Sequence, residues 1–415
     1  MPRSTSSSPR VIFVNRFYFP DHSATAQILT DIATHLAYKD LPVTVFCTRL
    51  SYSNDAVYAK NETISGVEIR RLWTSRFGRE TWLGRGIDYL TFYLGVCVSL
   101  FFFLSKDDVL IAKTDPPMLS VPLGLIARLK RATRVNWLQD IFPEVALSIS
   151  GKTPDNFVVQ SLIRLRNRSL RKADKNVAIG KTMESMVVKM GVVPEKVSII
   201  HNFVDDESIT PKDTHAPLLR ESWGLKPDDF VVGYSGNLGR AHDLDTILTA
   251  AMNLRDHEKI KFLFIGGGFL RERLQSELSV RNLTNVVLKP YMPREALPDS
   301  LSLPNLHWAS LIPSLEGYIV PSKVYGVAAA GRPLLMIGDP NGEISRMIAH
   351  FDFGLNVPCG DSRGASDVIL NLYSDKARLR ALGANARAFI EGNASRKLAQ
   401  KRWYTLVQSA LGDRR

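Results

Sequence analysis

Apolar residues in this chain come in short, nearly unbroken runs separated by stretches of helical spacing. Val11-Ile-Phe-Val14, Val43-Thr-Val-Phe-Cys47, Val109-Leu-Ile-Ala112, Val135-Asn-Trp-Leu138 and Asn176-Val-Ala-Ile179 are such runs. They read as strands covered on both faces, as in a parallel sheet between helices. Residues 67–72 read as a further strand. Between the first two runs, 15–27 reads as a loop, and Ile28, Leu29, Ile32 and Leu36 recur at helical spacing. Residues 118–129 read as another helix. After a polar segment at 206–216, the alternation restarts with Phe230-Val-Val-Gly-Tyr-Ser235, Lys261-Phe-Leu-Phe-Ile265, Val286-Val-Leu288 and Pro333-Leu-Leu-Met-Ile337. Leu244, Ile247, Leu248 and Ala251, and then Leu270, Leu274 and Leu278, mark helices between them. The pattern predicts an α/β protein of two doubly wound domains, 11–205 and 217–390, with a linker at 206–216. Residues 1–10 are polar and expected to be disordered, and no signal peptide is evident. Residues 391–415 are expected to form a helix crossing back to the first domain, packing through Trp403 and Leu406.

Residues 87–104 are the most hydrophobic segment and approach bilayer-spanning length. Asp107-Asp108 and the strand at 109–112 follow at once, so a packed β-α-β helix is the expectation. A helix this apolar also suits a membrane surface, and Arg70, Arg71, Arg76, Arg79, Arg85, Arg128, Lys130 and Arg131 around it suit anionic headgroups. Residues 162–175 form a second basic stretch, read either as a solvated helix face or as membrane contact.

Composition changes this picture little. The 415 residues leave room for two cores, and 45% hydrophobic with 23% charged residues is ordinary for a globular protein. The net charge of +12 points to an anionic partner. No nucleic-acid-binding motif accompanies it, so lipid or a phosphorylated substrate is favoured. Cys47, Cys97 and Cys359 lack metal-ligand spacing and read as reduced thiols of a cytosolic protein.

Ligands of open α/β sheets bind beyond the carboxyl ends of the strands. The richest such place is Pro313-Ser-Leu-Glu-Gly-Tyr-Ile-Val-Pro-Ser-Lys323. Glu316-Gly317 reads as a tight loop, and Pro321-Ser322 as a helix start with Ser322 as cap and Lys323 in the first turn. An ammonium beside a helix N-terminus suits a diphosphate, and Glu316 suits sugar hydroxyls. Gly236-Asn-Leu-Gly239, with Arg240 and His242 behind it, follows a strand, and glycine lets backbone approach a phosphate. No Gly-x-Gly-x-x-Gly is present, so the dinucleotide fingerprint fails. Gln139-Asp140-Ile-Phe-Pro-Glu144 ends a first-domain strand, and the 15–27 loop carries Tyr18, His22 and Thr25. Gly342-Glu343 opens a later helix.

The 313–333 segment resembles the donor-site segment of retaining GT-B glycosyltransferases of family 4. Their usual form is Glu-Gly-Phe-Gly-x-Pro followed by Glu-Ala-Met-Ala-x-Gly-x-Pro. Glu316 matches the first Glu, and Ala329-Ala-Gly-Arg-Pro333 matches the end. The second Glu, usually the ribose ligand, falls on Gly326. The Pro-Ser-Lys-x-Tyr variant is similar to the branch that builds bacterial surface polysaccharides, including N-acetyl-fucosaminyl transferase-like members. Val197-Ser-Ile-Ile-His-Asn-Phe-Val-Asp205 and Gly354-Leu-Asn-Val-Pro-Cys-Gly-Asp361 match further family segments. The resemblance implies two Rossmann-like domains facing a central cleft, a nucleotide-diphosphate-sugar donor, no metal or other cofactor, and retention of anomeric configuration.

On this resemblance Asp140, Glu316, Lys323 and Arg240 are the catalytic candidates. Gly236, Asn237, Gly239, His242, Gly317, Pro321, Ser322 and Glu343 would bind donor, Glu343 in place of the lost ribose ligand. Tyr18, His22, Thr25 and Glu144 would meet the acceptor. Asn237 stands where the family has a diphosphate-binding Arg and His242 near its Lys. The implied acceptor is a polyprenyl-diphosphate-linked saccharide at the inner face of the cytoplasmic membrane, for exopolysaccharide, capsule or O-antigen. A sugar-nucleotide 2-epimerase and a non-catalytic sugar-nucleotide-binding assembly protein are the alternatives.

Overall fold

A computed structural model describes residues 8–21, 23–52, 56–78, 82–151, 156–212 and 216–412. The chain divides into two compact units. The first comprises Met1–Leu147, Lys152–His201 and Lys397–Arg415, and the second Ser148–Gly151 and Asn202–Arg396.

The first unit is built on eight strands: β1 (Val11–Val14), β2 (Val43–Thr48), β3 (Asn61–Ile64), β4 (Val67–Leu72), β5 (Val109–Ala112), β6 (Thr133–Trp137), β7 (Lys175–Ala178) and β8 (Val197–Ile199). Their order is β3-β4-β2-β1-β5-β6-β7-β8, all parallel except the edge pair β3–β4. β1 and β5 are fully buried, which explains their unbroken apolar runs. The helix Trp82–Phe103 lays Phe92, Val96 and Leu100 on the sheet at 0% exposure. The helix Arg396–Gly412 ends in this unit, where Trp403 packs 4.3 Å from Trp137 and 6.4 Å from Phe13, ring to ring, with Leu406 half-buried.

The second unit holds β9 (Phe230–Ser235), β10 (Ile260–Ile265), β11 (Val286–Lys289), β12 (Leu306–Ser310), β13 (Leu334–Ile337) and β14 (Gly354–Val357). The order β11-β10-β9-β12-β13-β14 is wholly parallel and is that of a Rossmann sheet. It reverses direction between β9 and β12, the switch point where such sheets bind ligands.

Three expectations are corrected. The first helix spans Ala24–Tyr38, so Thr25 lies in its first turn and not in the loop. Buried Ala26 extends the apolar face one turn earlier than the longer side chains reveal. Of the segment expected to be disordered, 1–7 lie outside the described residues, but Arg10 pairs with Asp108 at 2.7 Å and its N–H donates to the same carboxylate at 2.9 Å. Of the linker, 213–215 lie outside the described residues. The remainder is pinned within the second unit: Ile209 is buried, Asp206 accepts the Arg396 N–H at 2.8 Å, and the Lys212 carbonyl accepts from Arg332 at 3.1 Å.

Candidate active site

In the second unit the candidate residues converge on the carboxyl ends of β9 and β12. The helix Lys323–Ala329 begins one residue after Ser322. Ser322 makes no side-chain capping bond, because its backbone is already helical (φ −70°, ψ −21°) and a capping hydroxyl needs an extended residue. The expected cap is therefore absent, and Ser322 is exposed. Pro321 and Gly317 are buried, and Gly317 takes φ +80° in the loop after Glu316.

Lys323 is turned inward. Its Nζ donates to the Tyr234 hydroxyl, accepts a place 4.0 Å above that ring's centroid, and lies 3.1 Å from His242 Nε2. His242 Nδ1 lies 2.7 Å from the Ser310 carbonyl. A carbonyl can only accept, so the imidazole proton is on Nδ1 and the Nε2 lone pair faces the ammonium. Burial first, then the Lys323 charge, brings His242 down to about 3, so it is neutral at ordinary pH. Tyr234 in turn donates to the Asn237 carbonyl at 2.8 Å. Both nitrogens of His242 are thus used internally. The residue near the family's Lys position acts as an acceptor that orients Lys323, and not as a cation for phosphate. Burial lowers Lys323 itself to about 7, within reach of either protonation state.

The β9 turn is tied to its neighbour. Gly236 (φ +129°) donates its N–H to Ile265 at 2.9 Å, and the Leu238 N–H goes to Gly267 at 2.7 Å. These two amides are not available to a phosphate, whereas those of Asn237 and Gly239 have no such bond among the described residues. A Cβ on Gly236 would come within 3.9 Å of Lys323 Cε, so the turn and the lysine are neighbours. Arg240 is exposed and stacks its guanidinium 3.7 Å over the Phe269 ring, so it is not joined to the Lys323 cluster.

Glu316 accepts the Glu343 N–H at 3.2 Å, at the start of the helix Glu343–Phe351. Burial raises its carboxyl to about 7; the Glu343 N–H opposes the rise and Asp339 adds to it. The preceding Gly342 has to lack a side chain, since a Cβ there would sit 2.2 Å from Glu316 Oε1. Glu343 is 4% exposed, and its amide is what meets Glu316.

In the first unit, Asp140 lies past β6 and Lys113 past β5. Asp140 is exposed, while Lys113 is 1% exposed, donates to the Thr25 carbonyl at 3.0 Å and sits 3.8 Å over Trp137. The surrounding protein first, then Asp115, raises Asp140 to about 6, and Lys113 opposes this; water at the exposed side chain moderates the rise. Burial lowers Lys113 to about 7 against the pull of Asp115 and Asp140. Tyr18 is 3% exposed in the core, and burial raises its hydroxyl well above the usual tyrosine range. Glu144 is paired with Arg166, which also donates to the Phe142 carbonyl at 3.2 Å. Burial corrects the acceptor role expected of Tyr18, which serves packing, while Glu144 is held by its ion pair. His22 lies outside the described residues. Sequence reasoning missed Lys113 and Tyr234. The available signal was a polar atom at the carboxyl end of an otherwise apolar strand.

Residues 23–202 match the model of a glycosyl transferase 4-like domain, and residues 216–389 that of glycosyl transferases group 1. WbjE of Pseudomonas aeruginosa, named a probable glycosyltransferase, is 26% identical over 313 residues, 74% of this chain and 76% of that one. WcaI of Escherichia coli K12, provisionally named a colanic acid biosynthesis glycosyl transferase, is 25% identical over 249 residues, 59% of this chain and 61% of that one. The crystal structure of Anabaena HepE in complex with UDP superimposes with a TM-score of 0.72 at 15% identity, over 96% of this chain and 100% of that one. With one family domain on each of its two Rossmann-like units, the chain belongs to the GT-B glycosyltransferases.

Proposed function

We propose that the protein is a retaining glycosyltransferase that moves a hexosyl, N-acetylhexosaminyl or fucosaminyl group from a nucleotide-diphosphate donor to a lipid-linked saccharide in bacterial surface-polysaccharide synthesis, working peripherally at the inner face of the cytoplasmic membrane. The observation that carries this reading is the Lys323 cluster at the β9/β12 switch point, with Glu316 on the segment that follows β12. Two donor bonds of the ammonium fix its direction through Tyr234 and His242, leaving one N–H for an anionic oxygen. In the reaction the bond from the anomeric carbon to the β-phosphate oxygen breaks, and the nucleoside diphosphate departs. The acceptor hydroxyl bonds to the same face of the carbon, and its proton passes to the leaving phosphate oxygen. Lys323 stabilises the charge that grows on that phosphate, a fixed interaction made stronger by its low-dielectric setting. Glu316 receives sugar hydroxyls, and Asp140 receives the acceptor hydroxyl. Names and ligands of the relatives support the reading: WcaI is named for colanic acid biosynthesis, and HepE was crystallised with UDP.

The test is a panel of nucleotide sugars incubated with the protein, with and without bacterial membrane extract, reading released nucleoside diphosphate. Release that requires extract, with a product of unchanged anomeric configuration by NMR, is expected. Conversion of a donor sugar to its epimer without any acceptor would contradict the proposal.

A further inference from the structure

The donor site leaves unexplained a strongly positive basin on the first unit. It has a volume of about 670 Å³ and seven cationic lining side chains against one carboxylate, Asp174. Arg128 and Arg131 stand at the end of the helix Ser120–Lys130, Arg134 on β6, and Arg171 and Lys172 at the end of the helix Phe157–Lys172. Lys106 and Lys196 precede β5 and β8. All of them lie at the amino ends of parallel strands, the edge opposite Lys113 and Asp140.

Basic residues near helix C-termini have an ordinary use, because they offset the macrodipole. Two helices end here, each supplying about half a negative charge. With Asp174 added, the seven cations still leave roughly five positive charges. Crowding shows in Lys172, whose amine is held below the usual range by Arg168 first, and also by Arg128 and Arg134.

An apolar stripe runs to this basin. On the helix Trp82–Phe103, the face away from the sheet exposes Leu83 (59%), Leu90 (54%), Leu94 (59%), Val98 (59%) and Phe102 (82%). The spacing of four and seven residues keeps them on one side for about 30 Å. Leu125 and Leu129, each 60% exposed, continue it on the neighbouring helix. Lys130 Nζ sits 4.4 Å over the Phe101 ring, joining the stripe to the helix that feeds the basin.

We propose that stripe and basin together are a docking face for an anionic bilayer. The helix Trp82–Phe103 lies in the interface, and lipid phosphates gather at the basin. Apolar area and positive charge side by side are what an interfacial helix uses. A second copy of this chain would bring an equally positive basin to the same face, so charge favours lipid as the occupant. The inference rests on the proposed lipid-borne acceptor for its purpose, and on the exposed stripe and the net charge for its geometry.

The experiment is flotation of the full chain with phosphatidylcholine vesicles, with and without added phosphatidylglycerol. The protein should float with the anionic vesicles only, and less as salt rises, because screening shortens the reach of the basin. Arg128→Glu with Lys172→Glu, and separately Leu94→Glu with Val98→Glu, should each lower partitioning at least about tenfold. All four positions are exposed, and circular dichroism and UDP binding by the second unit should match wild type. Wild-type flotation by both variant pairs would overturn the proposal. So would binding of free pyrophosphate without flotation on either vesicle, or a self-association lost in the Leu94/Val98 pair with no vesicle binding. Loss of UDP binding in the wild-type protein would instead sink the donor reading and leave the flotation result standing.

Discussion

Glu316 and Lys323 are each held near the midpoint of their titration, and the signs of the two effects can be separated. The Glu316 carboxyl is raised from 4.5 to about 7, so the folded protein keeps a proton that the unfolded chain releases in that window. Stability from this group therefore falls as pH rises from about 4.5 to 7, and the whole cost is present above 7. Glu316→Gln should raise the melting temperature at pH 8, leave it nearly unchanged at pH 4.5, and cut turnover roughly 10²-fold. Lys323 is lowered from 10.5 to about 7, and it is useful to a diphosphate only as a cation. UDP affinity, followed by calorimetry, should fall as pH rises through 7 in the wild type. In Lys323→Met it should be at least about tenfold weaker, without that component of the pH dependence. Restoring the family's lysine by His242→Lys puts two ammonium groups about 3 Å apart, where repulsion disfavours both charges. That variant should lose stability or UDP affinity, and Lys323→Gln in the same chain should recover part of the loss.

Two glycines separate positioning of the site from building of the sheet. A side chain on Gly342 meets first the far end of Glu316, at 2.2 Å, and then the Asp339 carbonyl, at 3.1 Å. Gly342→Ala should displace the carboxylate and lower turnover with little change in melting temperature. Gly268 has φ +122°, and a Cβ there would lie 2.7 Å from the Leu238 backbone nitrogen. Gly268→Ala should cost about 1–3 kcal/mol in denaturant unfolding, since it strains the backbone that carries the β9 turn. Strands were the most legible elements. β1, β5 and β9 have the limits their apolar runs predict, because burial on both faces keeps the pattern nearly unbroken, with Ser235 at the end of β9 the one polar side chain apart from the Tyr234 hydroxyl. Helix starts were less legible. Ser322 has the right type for a cap and the wrong backbone, and small Ala26 hides the first turn of the helix Ala24–Tyr38. Residue type alone does not report where a side chain points. Arg240 read as a cation for the donor but stacks on Phe269, while buried Tyr234 read as a strand residue and buried Lys113 follows a run that ends at Ala112.

At the level of the whole chain, the two sheets share one core order of six parallel strands, to which the first adds an antiparallel edge strand and one more parallel strand, and the resemblance reached both of them through ordered motifs. The two units hold different chemistry at their carboxyl edges: an exposed carboxylate, Asp140, beside buried Lys113 in the first, and Lys323 with Glu316 in the second. The excess charge has its own place, since the basin of the first unit collects seven of the basic residues behind the net +12. On the proposed function, the second unit grips a sugar nucleotide by its diphosphate through Lys323. The most direct test is a crystal structure of the full chain with a bound nucleotide sugar. A β-phosphate oxygen is expected about 3 Å from Lys323 Nζ, with the sugar reaching toward Glu316. Phosphates seated away from Lys323 and the Gly236 turn would contradict it.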